Sequence, residues 1–339
     1  MIKHLRVKLL ALLILMAILC VHAKEPEKET KKNIDQPVFD ISKCVVIKNK
    51  KIKVVIDPTY GGRIIEYSLD GKNILYVNKK NPSWVFPKGD KYMGPAGGRF
   101  DIGPEETIPE HLELWQGKWD VKDKQPLSVK LISQKSDTLG IQLIREFKID
   151  DRDSCLTCSQ TIINLSSEKK TFNHWTRTFA KGGGICVVPL SGKSRFHKKY
   201  LLCTSWPKFQ IITRPSDPKI IEKDNFIIIK GFPSQPKVGI ESYAGWFAYL
   251  HPSNLLFIKE FPVYPNRRYG GVTGSNVDFF FFKDVLVELE SLGPEEVIKP
   301  GDSVSYFEKW RLISFPFPLK EEKVDIQKVK KTVSNFNTK

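Results

Sequence analysis

Glu288 and Glu290 stand two residues apart in an otherwise apolar run, Val285-Leu286-Val287-Glu288-Leu289-Glu290-Ser291-Leu292. The run alternates as a β-strand does, with Val285, Val287 and Leu289 on one side and Leu286, Glu288 and Glu290 on the other. Two carboxylates on one strand face are costly to bury without partners. Either that face meets water, or one carboxylate is a catalytic or ligand-binding acid in the groove of a β-sandwich. A second stretch, Phe172-Asn173-His174-Trp175-Thr176-Arg177, is also strand-like. Phe172, His174 and Thr176 share one of its faces, and Asn173, Trp175 and Arg177 share the other. A lone histidine on a strand is more often structural than catalytic, and both readings stay open.

A sugar presents hydroxyls around apolar C–H faces, so its site needs aromatic plates beside charged hydrogen-bond partners. Trp115, Trp119, Trp175, Trp246 and Tyr264 could be plates, and Arg99, Arg177, His111 and His174 could be partners. Many of these lie in two long Gly/Pro-rich stretches, 81–119 and 261–277, which read as binding loops. The first also carries Trp84, Tyr92 and Gly94.

Other chemistries find little support. There is no G-x-S-x-G elbow and no locally marked Cys/His nucleophile pair. Gly61-Gly62-Arg63 leads into a strand rather than a helix, which removes a nucleotide-phosphate cradle. Cys155-Leu-Thr-Cys158 has the spacing of a metal or redox pair, but it falls on a strand. There, positions three apart face opposite sides, so the two thiols should neither bridge nor chelate together. No histidine cluster completes a zinc site, and the expected chemistry needs neither metal nor cofactor.

The elements that must position these residues are short strands throughout. Cys44–Ile47 with Ile52–Ile56 predicts one hairpin. Gly62–Leu69 and Lys72–Val77, joined by Asp70-Gly71, predict a second with a type I′ turn. Further strands are expected at 128–133, 139–149, 156–164, 171–179, 184–189, 209–213, 225–230, 245–250 and 255–261. No 3.6-residue apolar period is sustained and no fixed repeat appears, so one large all-β antiparallel sandwich is expected. It should span 37–317, with a solvated tail or short packing helix at 318–339.

A basic flank (Lys3, Arg6, Lys8), an apolar run from Leu9 to Val21 and Val21-His22-Ala23 read as a signal peptide, 1–23. That run is shorter than the roughly 20 residues needed to span a bilayer. Export to a periplasmic or extracellular space is expected, without an integral membrane segment after cleavage. Cys20 invites lipidation, which the bulky Leu19 before it disfavours. The polar stretch 24–36 reads as a disordered leader. The net charge of +16 is scattered singly, with no basic-aromatic stripe of the nucleic-acid kind. A carbohydrate, neutral or acidic, is the expected partner.

Gly61-Gly62-Arg63-Ile64-Ile65 followed by Asp70-Gly71-Lys72-Asn73-Ile74-Leu75 resembles the opening strands of galactose mutarotase (aldose 1-epimerase)-like proteins. Asn173-His174-Trp175 is similar to that family's Asn-His-aromatic stretch. Val287–Leu292 with Pro300-Gly301-Asp302 and Glu308-Lys309-Trp310 resembles its closing strands. The likeness spans about 40–315 and points to an uncharacterised bacterial branch. It implies a β-supersandwich that interconverts anomers of an aldose or uronic acid, with Glu290 as base and His174 as acid. Arg99, His111 and Arg177 would hold hydroxyls or a carboxylate, and Trp175, Asp278 and Glu288 would complete the site. The family's His-Gly-Gly context is missing here; only His111 in Pro109-Glu110-His111 is available. The alternative is a carbohydrate-binding or glycan-processing accessory protein on the same scaffold. Polysaccharide lyases, some of which contain a supersandwich, come third.

Overall fold

In the computed structural model, which describes residues 41–78, 97–204, 209–318 and 324–337, the alternating strands assemble into two antiparallel sheets packed face to face. The first is 12-stranded. Its centre runs Arg63–Leu69, Gly98–Gly103, Lys170–Lys181, Leu286–Leu292, Val277–Phe282, Lys237–Ile240, Tyr200–Cys203. The second is 10-stranded and carries Trp246–His251, Leu255–Glu260, Ser303–Ser314, Cys155–Asn164 and Ile141–Ile149 side by side. The large antiparallel β-supersandwich expected from the sequence is the fold observed.

The inward-facing half of each alternation makes the core. Phe100, Phe279 and Leu289 of the first sheet meet Phe147, Phe247, Phe257 and Trp310 of the second. Burying each such side chain contributes roughly 1.5–3 kcal/mol. Trp310 stacks on Phe100 with centroids 5.7 Å apart, and Phe257 meets its edge at 5.4 Å. The sheets close this tightly because Gly98 has no side chain: a Cβ there would lie 2.6 Å from the Trp310 ring.

Polar groups cross this interior as well. Lys259 of the second sheet is fully buried, 3.0 Å from the carboxylate of Glu308. Its ammonium also donates to Thr176 and Thr178 hydroxyls at 3.1 Å and to the Leu289 carbonyl at 3.0 Å. Glu308 in turn accepts from Thr176, Ser291 and the Trp310 indole. This network ties the two sheets together directly behind the Leu286–Leu292 strand.

Both expected hairpins form. Asp70 and Gly71 each take a positive φ (50° and 76°), as a type I′ turn requires. The stretch 81–119 is not all loop, however. Gly98-Arg99-Phe100-Asp101-Ile102-Gly103 is a buried strand, hidden from the sequence because glycines bound it and charges occupy one face. Trp84, Tyr92 and Gly94 lie outside the described residues, as do the proposed signal peptide and leader. Near the C-terminus, Ile326–Asn337 is a helix. Val324, Ile326, Val329 and Val333 pack it on Val187, Ile228 and Leu250, the outer face of the 10-stranded sheet. Cys155 and Cys158 are both free thiols. Cys158 faces the intersheet core, and Cys155 lies on the other side of its strand. Among the described residues, no helix is long and apolar enough to cross a membrane.

Candidate functional site

Register decides which predicted residues meet. Arg177 pairs with Arg99 on one side and with Glu290 on the other; Trp175 pairs with Asp101, and Asp278 with Glu290. Alternation then adds Glu288 and Lys237 to the same face, the outer face of the 12-stranded sheet. This face, beneath a small crevice lined by Trp175, Lys237 and Asp278, thus collects Arg99, Trp175, Arg177, Asp278, Glu288 and Glu290 into one candidate groove. Asp101 and Lys237 join them, although sequence reasoning missed both. Asp101 hid within the assumed loop, and Lys237 in a four-residue strand after Pro236.

Glu288 and Glu290 are both buried, 4% and 1% exposed, so neither is the water-facing residue that the pattern allowed. Glu290 accepts the Trp175 indole N–H at 2.8 Å and lies 3.4 Å from the Lys237 ammonium. Lys237 bridges onward to Asp278 at 3.1 Å. Asp278 is braced from behind by the hydroxyls of Thr273 and Ser275. Glu288 accepts from Arg177 Nε at 2.9 Å. The Arg177 guanidinium also lies 3.7 Å from Asp101 and stacks over Trp175 at 4.5 Å.

These contacts split the two carboxyls. Burial pushes both upward, but at Glu290 the Lys237 and Arg177 charges and the Trp175 N–H outweigh it and hold the group below its ordinary value. At Glu288 burial, aided by the neighbouring Glu290 charge, prevails over Arg177 and lifts the group to about 7. Below about pH 7 a carboxylate, Glu290, and a carboxylic acid, Glu288, therefore lie side by side. Burial and Glu290 likewise raise Asp278 against the pull of Lys237.

Beside them, Arg99 Nε lies 2.6 Å from Asp101, and its guanidinium stacks over the Trp115 ring at 4.3 Å. His111 packs edge-on against the same ring at 4.3 Å, its Nδ1 against the Pro109 carbonyl at 2.8 Å. Burial lowers its pKa, which favours the neutral imidazole. Fully buried Arg63, of the Gly61-Gly62-Arg63 motif, holds the Trp115 carbonyl at 2.6 Å and so sets this ring. Arg99 Nη2, Asp101 Oδ1 and His111 Nε2 are buried and make no hydrogen bond among the described residues. Unspent polar atoms of this kind call for a reason, and hydroxyls of a ligand would supply one.

His174 is not with them. It shares its face with Thr176 and points between the sheets, its ring stacked on Tyr306 at 5.7 Å. The sheet itself separates it from Glu290. Burial drives its pKa down to about 4, leaving it neutral. The expected Glu290–His174 acid–base pair is therefore corrected: strand alternation puts the two on opposite faces. Two expected plates are corrected as well. Trp119 is core, its indole bonded to the Leu114 carbonyl at 3.2 Å. Trp246 packs beside Phe226 in the cluster under the C-terminal helix. Among the described residues no group of three His, Cys, Asp or Glu side chains is placed to hold a metal ion.

No family model matches this sequence, and no curated protein matches it. Solved structures do resemble the fold. A candidate aldose 1-epimerase of Escherichia coli K12 superposes with a TM-score of 0.57 at 13% identity, over 80% of this chain and 99% of that one. A galactose mutarotase-like protein of Lactobacillus casei gives 0.55 at 13%, over 80% and 100%. A TPR-domain containing protein of Parabacteroides distasonis gives 0.56 at 14%, over 83% of this chain and 48% of that one. At such identities the likeness establishes architecture, and the chain carries the galactose mutarotase-like β-supersandwich.

Proposed function

We propose that the groove binds a saccharide and interconverts its anomers, with Glu290 as base and Glu288 as acid. The observation that carries this is the placement of Glu288 and Glu290 side by side on one face with Arg99, Trp175 and Arg177, where Lys237 and Arg177 hold Glu290 ionised while burial lifts Glu288 to about 7. The anomeric hydroxyl and the ring oxygen share one carbon, so adjacent carboxyls suit both proton transfers. Glu290 takes the hydroxyl proton, Glu288 gives its own to the ring oxygen, and the C1–O5 bond breaks to an open-chain aldehyde. Rotation about C1–C2 and the reverse transfers close the other anomer and restore both groups. Arg177 stabilises Glu288 while it is an anion. Arg99, Asp101 and His111 offer the unspent polar atoms that would hold hydroxyls, and export from the cell fits such a substrate. Two-dimensional exchange NMR on a panel of aldoses and uronic acids tests this. Acceleration by the wild type, lost in Glu290→Gln, is the expected result; no acceleration of any sugar overturns it.

A second reading, a saccharide-binding protein without turnover, is favoured by one specific observation. Glu290 is 1% exposed, and its Oε2 is already shared by Trp175 and Lys237. Saturable binding without exchange would select that reading.

A further inference from the structure

Next to the groove lies a second, open cleft of about 780 Å3, unused by the chemistry above. Its charged lining is mostly cationic: Lys193, Arg195, Arg267 and Arg268 share it with one acid, Glu241, beside Tyr243. Glu241 is 3% exposed and fully engaged. It accepts from the Arg195 backbone N–H and Nε, both at 2.6 Å, and from Tyr243 Oη at 3.0 Å. It therefore serves as a post that fixes Arg195, whose side chain is still 66% exposed. Arg267 is steadied by Glu296 at 2.9 Å and the Glu295 carbonyl at 2.8 Å. Arg268 touches Glu295 at 3.2 Å and remains 83% exposed. Lys193 is exposed and has no ion pair among the described residues. Four cations thus converge against three carboxylates, Glu241, Glu296 and Glu295, which pair Arg195, Arg267 and Arg268; Lys193 and the exposed guanidinium faces of Arg195 and Arg268 leave the cleft net positive, which attracts anions.

Cleft and groove are parts of one surface. The loop 261–277 borders both: Gly271 and Val272 line the crevice beside Trp175 and Asp278, and Pro265 to Arg268 line the cleft. Arg195 Nη2 donates to the Gly274 carbonyl at 2.7 Å, between the Thr273 and Ser275 that brace Asp278. Glu241 follows the Lys237–Ile240 strand, and alternation sets it on the face of Lys237, about 13 Å further along. That span exceeds one hexose ring, so a single ligand reaching both would have to be an oligosaccharide.

We infer that the cleft binds the anionic units of an acidic oligosaccharide whose end ring occupies the groove. This rests on the saccharide reading of the groove and adds to it the substrate class, a chain bearing carboxylates. Titration calorimetry tests it with tetragalacturonate, a neutral tetragalactoside and inorganic tetraphosphate as probes. The proteins are the wild type and the double variant Arg267→Gln/Arg268→Gln, whose exposed side chains can be changed without disturbing the core. The wild type should prefer tetragalacturonate to the neutral chain by about tenfold or more. The double variant should cut that ratio about three- to tenfold, and added salt should shrink it. An unchanged ratio in the double variant overturns the cleft proposal, even where the neutral chain binds and the groove reading stands. Tetraphosphate binding as tightly as tetragalacturonate also overturns it, since the cleft would then be an unselective anion patch. If neither chain binds, the groove reading fails. Tetragalacturonate binding that depends on Arg267 and Arg268, with the neutral chain weak or silent, upholds the cleft.

Discussion

The Leu286–Leu292 and Lys170–Lys181 strands carry a polar cluster on each face, and the two clusters differ in how completely they are satisfied. Behind the sheet, Lys259, Glu308, Thr176 and Ser291 bond one another so fully that none of their side-chain atoms is left over. In front, Arg99, Asp101 and His111 keep buried atoms without partners, and Glu288 and Glu290 hold one proton unequally. Burial and charge are similar on the two faces. A saturated network fixes the relation between the sheets, whereas an unsaturated one retains capacity for a ligand. Between these two clusters the contrast is sharper than residue type, since both contain a lysine and a glutamate; His174, behind the sheet with both ring nitrogens unpartnered among the described residues, is the exception.

The largest expected effect is on turnover in front. Glu290→Gln should lower anomer exchange by roughly two to four orders of magnitude, the span of one acid–base group, measured by exchange NMR. Glu288→Gln should also lose activity, because an amide cannot transfer the proton, and the double variant should be little worse than either single. His174→Gln, on the back face, should leave the rate nearly unchanged. A large loss there would break the division into faces.

Behind the sheet, the expected effect is on stability. Glu308→Leu leaves the Lys259 ammonium buried without its anion and should cost about 3–5 kcal/mol by urea denaturation. Adding Lys259→Met should recover much of that loss. A cost below about 1 kcal/mol for the single variant would show that the back network is not the scaffold described.

The smaller effects are pH dependences. Glu288 is raised in the folded state, to about 7 from an ordinary 4.5, so the folded protein binds the extra proton between those values. Stability from this group is full below pH 4.5 and is lost as pH rises through about 7. Denaturation at pH 5 and pH 8 should therefore show Glu288→Gln gaining on the wild type at the higher pH. The same deprotonation removes the acid, so exchange should decline above about pH 7. Equal pH dependence in wild type and variant would contradict the split.

Much of this arrangement was legible in alternation within a single strand. Glu288 and Glu290 share a face because they are two apart, and so do Trp175 and Arg177. The same rule already set His174 opposite Trp175, although it could not say which of those faces meets Glu290. That depends on the register of Arg177 against Glu290, which is fixed by packing between distant strands. Asp101 and Lys237 were not legible, because their strands are short, polar on one face and bounded by Gly or Pro. The supersandwich itself was easier to read, since it depends on many strands and survives errors in several.

The most direct test is a carboxyl carbon-13 NMR titration of glutamate-labelled protein, assigned with Glu288→Gln and Glu290→Gln. The account predicts one glutamate titrating near pH 7 that vanishes in Glu288→Gln. It also predicts one that stays ionised below the ordinary range and vanishes in Glu290→Gln. Two groove glutamates that both titrate near their ordinary value would contradict it.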